Sequence, residues 1–395
     1  MNLSIQKQTN RKSFSRALPL LGGISSEIFL RDYWQKKSLL IRNAIADFEA
    51  PLTKREVLTL ARREEAESRL IARDKKHWRI EHGPFSTSSF RQPKNTLWTV
   101  LVQDVQHFSH EAHELLARFD FLPQARIDDL MVSYAVPGAG VGAHFDTYDV
   151  FLLQGMGRRR WQISQQTDLR LKPDMPLKIL SHFKPTEEFV LEEGDMLYLP
   201  PSVAHNGIAE TECLTWSIGF RSPSKQDLTV SFLDYLRDAL QLSGQYADPD
   251  LKSMLHTAEI EPAMQKRVAL LLRDVQAAAC DDAMIRRFTG CYLTEPKPHV
   301  VFDAPETALS AAAFARLATR HGIELDLRTR MLYDAEHIFI NGEARALLRS
   351  VGALLKTLAD QRALSASALA KAESKALLAF LYRGFCEGVL TIARH

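Results

Sequence analysis

The chain has 395 residues, of which 46% are hydrophobic and 25% charged, with a formal net charge of +2 at neutral pH. These are the proportions of a soluble globular protein, and the length exceeds one ordinary core, so two or three folded units are expected. A charge so close to neutral argues against wholesale nucleic-acid binding through a basic surface, and no apolar run is long enough to span a membrane. The cysteines, Cys213, Cys280, Cys291 and Cys386, show no C-x-x-C spacing and read as reduced thiols in a cytoplasmic protein.

The first twenty residues are basic, contain serines and lack acids. A transit peptide has that composition, but the apolar stretch is too short for a secretory signal, and a flexible tail over residues 1–25 is the expectation. Ser25-Ser26 and Glu27 then open a helix carrying Ile28, Phe29 and Trp34, followed by a strand in SLLIRNA. Residues 53–73 read as a charged-faced helix ending in a strand, and HGPFSTSSF as a turn feeding a buried strand in TLWTVLVQDV. His107, His110 and His113 have helical spacing but no H-E-x-x-H signature, so exposed helix histidines are expected there, not a metal cluster.

From Asp128 to Arg221 the chain is β-rich: MVSYAV, DVFLLQ, RWQIS, EFVLEEGD, MLYLPP and CLTWSIGF. Short strands separated by turn signals point to a jelly roll or cupin-like double sheet. The GAGVG loop lacks the third glycine of a dinucleotide fingerprint and no helix follows it, so no nucleotide site is expected. After the polar linker SPSKQDL, apolar residues recur at helical spacing: Leu228, Phe232, Tyr235, Leu236 and Ala239, then Val268, Leu271, Leu272 and Val275. A second linker spans Pro296–Pro305. Beyond it come a helix from Thr307, a hairpin in RTRMLYDAEHIFINGE, and a helix with the stripe Leu347, Leu348, Val351, Leu354, Leu355 and Leu358. Ser365 or Ser367 can cap a further helix, and GVLTIA can close the unit as a strand.

The chemistry concentrates in residues 131–161 and 199–205. His144 and Asp146 are two apart, which on a strand puts both side chains on one face. His205 follows a Pro-Pro turn and completes two imidazoles and one carboxylate, the ligand set of an iron site with open positions for a co-substrate and O2. Arg158-Arg159-Arg160 follows, and a guanidinium fork suits the carboxylate of an anionic co-substrate such as 2-oxoglutarate. Alternation sets Arg159 opposite Arg158 and Arg160, and leaves open which face turns inward.

HFDTYDVFLLQGMGRRRW, IDDLMVSYAVPGAGVG and GDMLYLPPSVAHNGIA together resemble the JmjC-type ribosomal oxygenases, and RDYWQKKSLLIRNA, ESRL and HGPF extend the likeness. The bacterial branch that hydroxylates an arginine of a large-subunit ribosomal protein is the best match. The resemblance implies an α+β chain: a double-stranded β-helix oxygenase domain over 26–222, a helical dimerisation region over 223–300, and a winged-helix-like domain over 301–395. It implies His144, Asp146 and His205 as Fe(II) ligands, with Arg159 gripping the far carboxylate of 2-oxoglutarate and Ser133 lining the same pocket. It further implies a ribosomal protein substrate and a homodimer. No concentrated basic face marks the C-terminal domain, so no direct nucleic-acid binding is expected of it. Asp128, Asp129, Tyr148 and Asp149 are available for a cationic substrate side chain. Three alternatives stay open at this point: a JmjC hydroxylase or demethylase of another protein residue, a cupin-like metal-binding module without catalysis, and, weakest, a winged-helix transcription factor.

Overall fold

In a computed structural model of the chain, residues 16–75, 77–347, 349–372 and 374–393 are described. Residues 1–15 of the expected tail and Leu348 of the apolar stripe lie outside them. The chain divides into two compact units, one running to Ser222 and including His299–Val301, the other formed by Pro223–Pro298 and the residues from Phe302 onward.

Order in the first unit begins before residue 26, earlier than the sequence suggested. Leu21 is buried in the core, and Leu18, Leu20 and Ile24 pack against it, so apolar burial fixes this segment. Ser25 caps helix α1 (Ser26–Asp32) by accepting from the Ile28 amide. Helix α2 (Lys54–Leu60) starts with a full capping box between Thr53 and Glu56. It is shorter than the 53–73 expectation, because the run Arg62–Glu65 offers no apolar residue to hold another turn against the core.

Eleven strands follow in chain order: β1 (Leu39–Ile41), β2 (Ser68–Asp74), β3 (His77–His82), β4 (Leu97–Val102), β5 (Ile127–Ala135), β6 (Val150–Met156), β7 (Arg159–Ser164), β8 (Glu187–Leu191), β9 (Met196–Leu199), β10 (Ala204–Ala209) and β11 (Cys213–Phe220). Eight of them form an antiparallel sheet in the order β1-β9-β6-β11-β5-β4-β2-β3, and three form a smaller sheet, β10-β7-β8. Val150, Leu152, Leu197 and Leu199 of the large sheet share one buried cluster with Trp161, Ile163 and Leu191 of the small one. Two sheets closed over a common interior are the jelly-roll core that the strand pattern predicts.

The other face of the large sheet carries the main core. There Phe29 from α1 is fully buried among aromatic rings, with centroids 5.0 Å from Tyr198, 5.5 Å from Phe151 and 5.9 Å from Phe121. Helix α3 (His110–Ala117) lies on the same core through Ala112, Leu115 and Leu116. Among the described residues, His107, His110 and His113 join no group of side chains that could hold a metal.

The second unit opens with helices α4 (Lys225–Ala239), α5 (Pro262–Leu271), α6 (Arg273–Ala279) and α7 (Asp282–Thr294). Phe232 and Tyr235 of α4 stack on Phe288 of α7, with centroids 4.9 and 5.6 Å apart. Next come α8 (Ala311–His321), β12 (Ile323–Leu325), β13 (Met331–Tyr333), β14 (His337–Ile340), β15 (Glu343–Ala346), α9 (Gly352–Gln361), β16 (Ala363–Leu364), α10 (Ala366–Ala372), α11 (Lys375–Cys386) and β17 (Leu390–Ile392). The expected hairpin gains a third strand, β15, because Asn341 and Gly342 turn the chain back with positive φ. Ser365 accepts from the Ala368 amide at the start of α10, and GVLTIA supplies β17, both as anticipated. Phe314, Leu355, Leu381 and Ile338 are central to a separate core, which gives a winged-helix fold.

Phe29→Ala should cost the first unit about 3–5 kcal/mol, read as a lower urea midpoint by circular dichroism. Ile28→Ala, one residue away on the exposed side, should leave that midpoint within about 0.5 kcal/mol of the parent.

Candidate metal and co-substrate site

The loop between β5 and β6 is pressed onto β10. A Cβ on Gly140 would lie 2.1 Å from the Gly207 carbonyl oxygen, so only glycine permits this approach. The GAGVG run therefore serves close backbone packing. Just beyond it, His144 and His205 exchange backbone hydrogen bonds, His144 N to His205 O at 2.9 Å and His205 N to His144 O at 2.8 Å. The pairing brings the two imidazole centroids to 4.2 Å. Ser202, beyond the Pro-Pro turn with φ +67°, donates from its amide to the Asp146 carbonyl at 2.7 Å and so ties the third residue to the same corner.

The three side chains meet. One ligand atom from each of His144, Asp146 and His205 lies within 4.8 Å of the others, and His205 Nε2 is 3.6 Å from Asp146 Oδ2. Each histidine is oriented by its own backbone: His144 Nδ1 donates to Gly142 O at 2.9 Å and His205 Nδ1 to Val203 O at 3.0 Å. With the proton held on Nδ1, the Nε2 lone pairs are left for a metal. Burial pushes the His205 pKa down to about 4, and the neighbouring His144 adds to the effect, so the imidazole is neutral at physiological pH. Two imidazoles and a carboxylate suit a divalent iron-type ion that keeps coordination positions open.

The question left by the three arginines is resolved by burial. Arg160 is engaged by Glu188 and Glu210 outside, and Arg158 stands 3.7 Å from Glu210. Arg159 is 5% exposed, and its Nε and Nη2 have no hydrogen-bond partner among the described residues. A buried guanidinium without acceptors is costly unless a ligand satisfies it, and its fork fits a carboxylate. Register along β7 and β10 pairs Arg159 with Ala209, Trp161 with Gly207 and Ile163 with His205. The arginine and the histidine thus lie on one inner face with the Trp161 indole between them. Its centroid is 5.8 Å from the His205 ring and 5.7 Å from the Arg159 guanidinium carbon. Gly207 makes room for that indole, since a Cβ there would fall 2.7 Å from it.

On the large sheet, Ser133 is buried in β5 and pairs across to Thr215 of β11, which in turn pairs with Gln154 of β6. Thr215 Oγ1 donates to Gln154 Oε1 at 3.0 Å. Thr215, Gln154 and Trp161 escaped the sequence reading, although alternation within CLTWS places Thr215 on the face that Ser133 shares. Of the residues considered for a substrate side chain, Asp149 is fully buried and bound by Tyr198 Oη at 2.6 Å and Gln35 Nε2 at 2.9 Å, with Arg126 at 3.5 Å. It is a structural acceptor. Tyr148 is 40% exposed, and Asp129 comes close to it over Gly219, where a Cβ would lie 3.0 Å from Asp129 Oδ1 and 3.9 Å from Tyr148 Cε2. Partial desolvation of the phenol by its surroundings and the charges of Asp146, Asp129 and Asp128 raise the Tyr148 pKa.

Comparison with known proteins agrees with this geometry. A JmjC domain model matches residues 114–228, and a ROXA-like winged helix model matches 272–391. The chain is 38% identical over 237 residues to the ribosomal protein uL16 3-hydroxylase of Escherichia coli, covering 59% of this chain and 62% of that one. It is 40% identical over 235 residues to a probable ribosomal oxygenase of Haemophilus influenzae, covering 58% and 55%. These alignments span less than two thirds of either relative. The solved structure of the ribosomal oxygenase YcfD from E. coli superposes with a TM-score of 0.79 at 28% identity, over 94% of this chain and 98% of that one. A complex of YcfD with cobalt and 2-oxoglutarate superposes at 0.77, with 28% identity over 92% and 97%. With a JmjC domain, a ROXA-like winged helix and a likeness to YcfD that spans nearly its whole length, the chain is similar to the JmjC-type ribosomal oxygenases.

Proposed function

We propose that the chain is an Fe(II)- and 2-oxoglutarate-dependent oxygenase that hydroxylates an arginine side chain of a large-subunit ribosomal protein. The observation that carries the reading is the buried Arg159, unpartnered on the same inner face as the histidine pair. A metal-binding module without catalysis has no use for a desolvated anion clamp. The uL16 hydroxylase of E. coli is the relative whose name supplies the substrate class.

In this reading His144, Asp146 and His205 hold Fe(II), which together with 2-oxoglutarate and O2 supplies oxidation of an unactivated C–H bond coupled to decarboxylation of the co-substrate. Arg159 takes the far carboxylate of 2-oxoglutarate in a charge-assisted pair, and Ser133 offers a hydroxyl to the same ligand. The backbone carbonyls of Gly142 and Val203 hold both imidazoles in the metal-binding tautomer. Trp161, Ile163 and Leu191 keep water from the interior. The Asp129 carboxylate close to Tyr148 over Gly219 would favour a cationic substrate side chain, and Asp128, which also faces Arg221 at 3.5 Å, adds to the same field.

We further propose that the active form is a homodimer in the cytoplasm, joined through the helical region. Leu233 is 59% exposed, Val230 48%, Val268 43% and Leu271 43%, a density of open apolar side chains unusual for a free surface. No helix among the described residues is long and apolar enough to cross a membrane.

Incubating purified protein with ribosomal proteins, Fe(II), 2-oxoglutarate and O2 should add one oxygen to a single arginine by mass spectrometry. Asp146→Ala should abolish that addition, and unmodified ribosomal proteins after full incubation with active protein would overturn the substrate assignment. Arg159→Met should raise the KM for 2-oxoglutarate by roughly 10- to 100-fold, while metal content by elemental analysis stays that of the parent. Leu233→Glu combined with Leu271→Glu should convert a dimer to a monomer in sedimentation velocity, and a parent that sediments as a monomer would exclude the dimer.

A further inference from the structure

The active-site face of the large sheet carries a second guanidinium for which the proposed reaction has no role. Ser68 and Leu70 of β2 are buried, Leu70 in the main core, and alternation turns Arg69 to the opposite face. Strand register carries that face across the sheet: Arg69 pairs with Leu101, Leu101 with Ser133, and Ser133 with Thr215. Arg69 thus stands two strands from Ser133, about 10 Å to the side, on the flank away from Gln154.

Its surroundings are unusual for an arginine. Nε is buried and has no hydrogen-bond partner, and no hydrogen bond or ion pair to a described residue holds the guanidinium. Carboxylates are nevertheless close by, since Tyr148 feels the charges of Asp146, Asp129 and Asp128 and the opposing charge of Arg69 together. Charges of both signs thus act near one phenol, with Asp128 also facing Arg221 at 3.5 Å. Arg69 is half-buried, but its Nε is shielded from water without an acceptor, which is unfavourable, and a bound ligand that supplies the acceptor removes that penalty.

We propose that Arg69 holds the polypeptide substrate, donating to a main-chain carbonyl oxygen next to the residue that is hydroxylated. This rests on the reading of the chain as a protein hydroxylase. A neutral carbonyl fits better than an acidic side chain, because Asp128 and Asp129 repel a second anion at the same mouth. The carboxylates face the substrate's cationic side chain and Arg69 faces its backbone, so the peptide is gripped from both flanks and its register is set. The Leu101 side chain, next to Arg69 across the ladder, offers no hydrogen bond of its own to that backbone.

The test uses the full chain and a synthetic peptide spanning the arginine identified by mass spectrometry. Arg69→Met should raise the peptide KM about tenfold, with KM for 2-oxoglutarate and peptide-free 2-oxoglutarate consumption unchanged. Arg69→Lys should recover part of the loss, because one donor returns. Where Arg69→Met fails to fold by urea titration, Arg69→Gln replaces it, with the same direction expected. An unchanged peptide KM, or a parallel rise in KM for 2-oxoglutarate, would overturn the assignment of Arg69. Absence of 2-oxoglutarate consumption by the parent protein would instead overturn the oxygenase reading on which it rests.

Discussion

The site depends on one short piece of antiparallel pairing, the two backbone hydrogen bonds exchanged by His144 and His205. They join a loop to a strand some sixty residues later in the sequence, and they do so at the end of the barrel where the small sheet begins. Everything needed for chemistry is referenced to that contact. Asp146 follows within the same loop, Arg159 and Trp161 follow from the register of the small sheet, and the Pro-Pro turn is held to the loop by the Ser202 amide. Steric permission for the contact comes from glycine: Gly140 lets the loop touch the strand, and Gly207 lets the indole lie over it. A side chain at either position would move ligands by more than coordination tolerates.

The balance of forces differs between the two faces of the large sheet. One face is aromatic and apolar, with Phe29, Phe151, Tyr198 and Trp216 all buried, and it carries the stability of the unit. The other spends part of that stability on polar groups. Ser133, Thr215 and Gln154 are buried there, as is the unpartnered Arg159 on the facing sheet. Asp149 shows how a buried carboxylate is accommodated, with two hydrogen-bond donors and the Arg126 guanidinium brought to it from separate parts of the chain.

Local rules made much of this legible in the sequence. The meeting of His144, Asp146 and His205 was readable because H-x-D spacing and a Pro-Pro turn are short-range signals, and the separate standing of Arg159 followed from period-two alternation. The first two helices were placed by their caps, Ser25 and Thr53, though the second ends sooner than its charged run suggested. What the sequence could not convey depends on long-range register. Asp149 looked available to a substrate because its partners Gln35 and Tyr198 lie 114 and 49 residues away. The proximity of Arg69 to the mouth needs the pairing of β2, β4 and β5 together, and no window of sequence contains it. The packing role of the glycine-rich loop appears only when β10 is laid against it.

Both histidine rings are steered by main-chain carbonyls two residues upstream, Gly142 and Val203, and not by side chains. Backbone oxygen is present whatever residue occupies position 203, and Gly142 alone, at φ +87°, depends on being glycine, so this anchoring is insensitive to most other replacements around the metal. Descendants of such a barrel can exchange the residues of the mouth without re-optimising the ligands. Evolutionary drift in what is recognised is thereby uncoupled from the inherited apparatus that performs the oxidation.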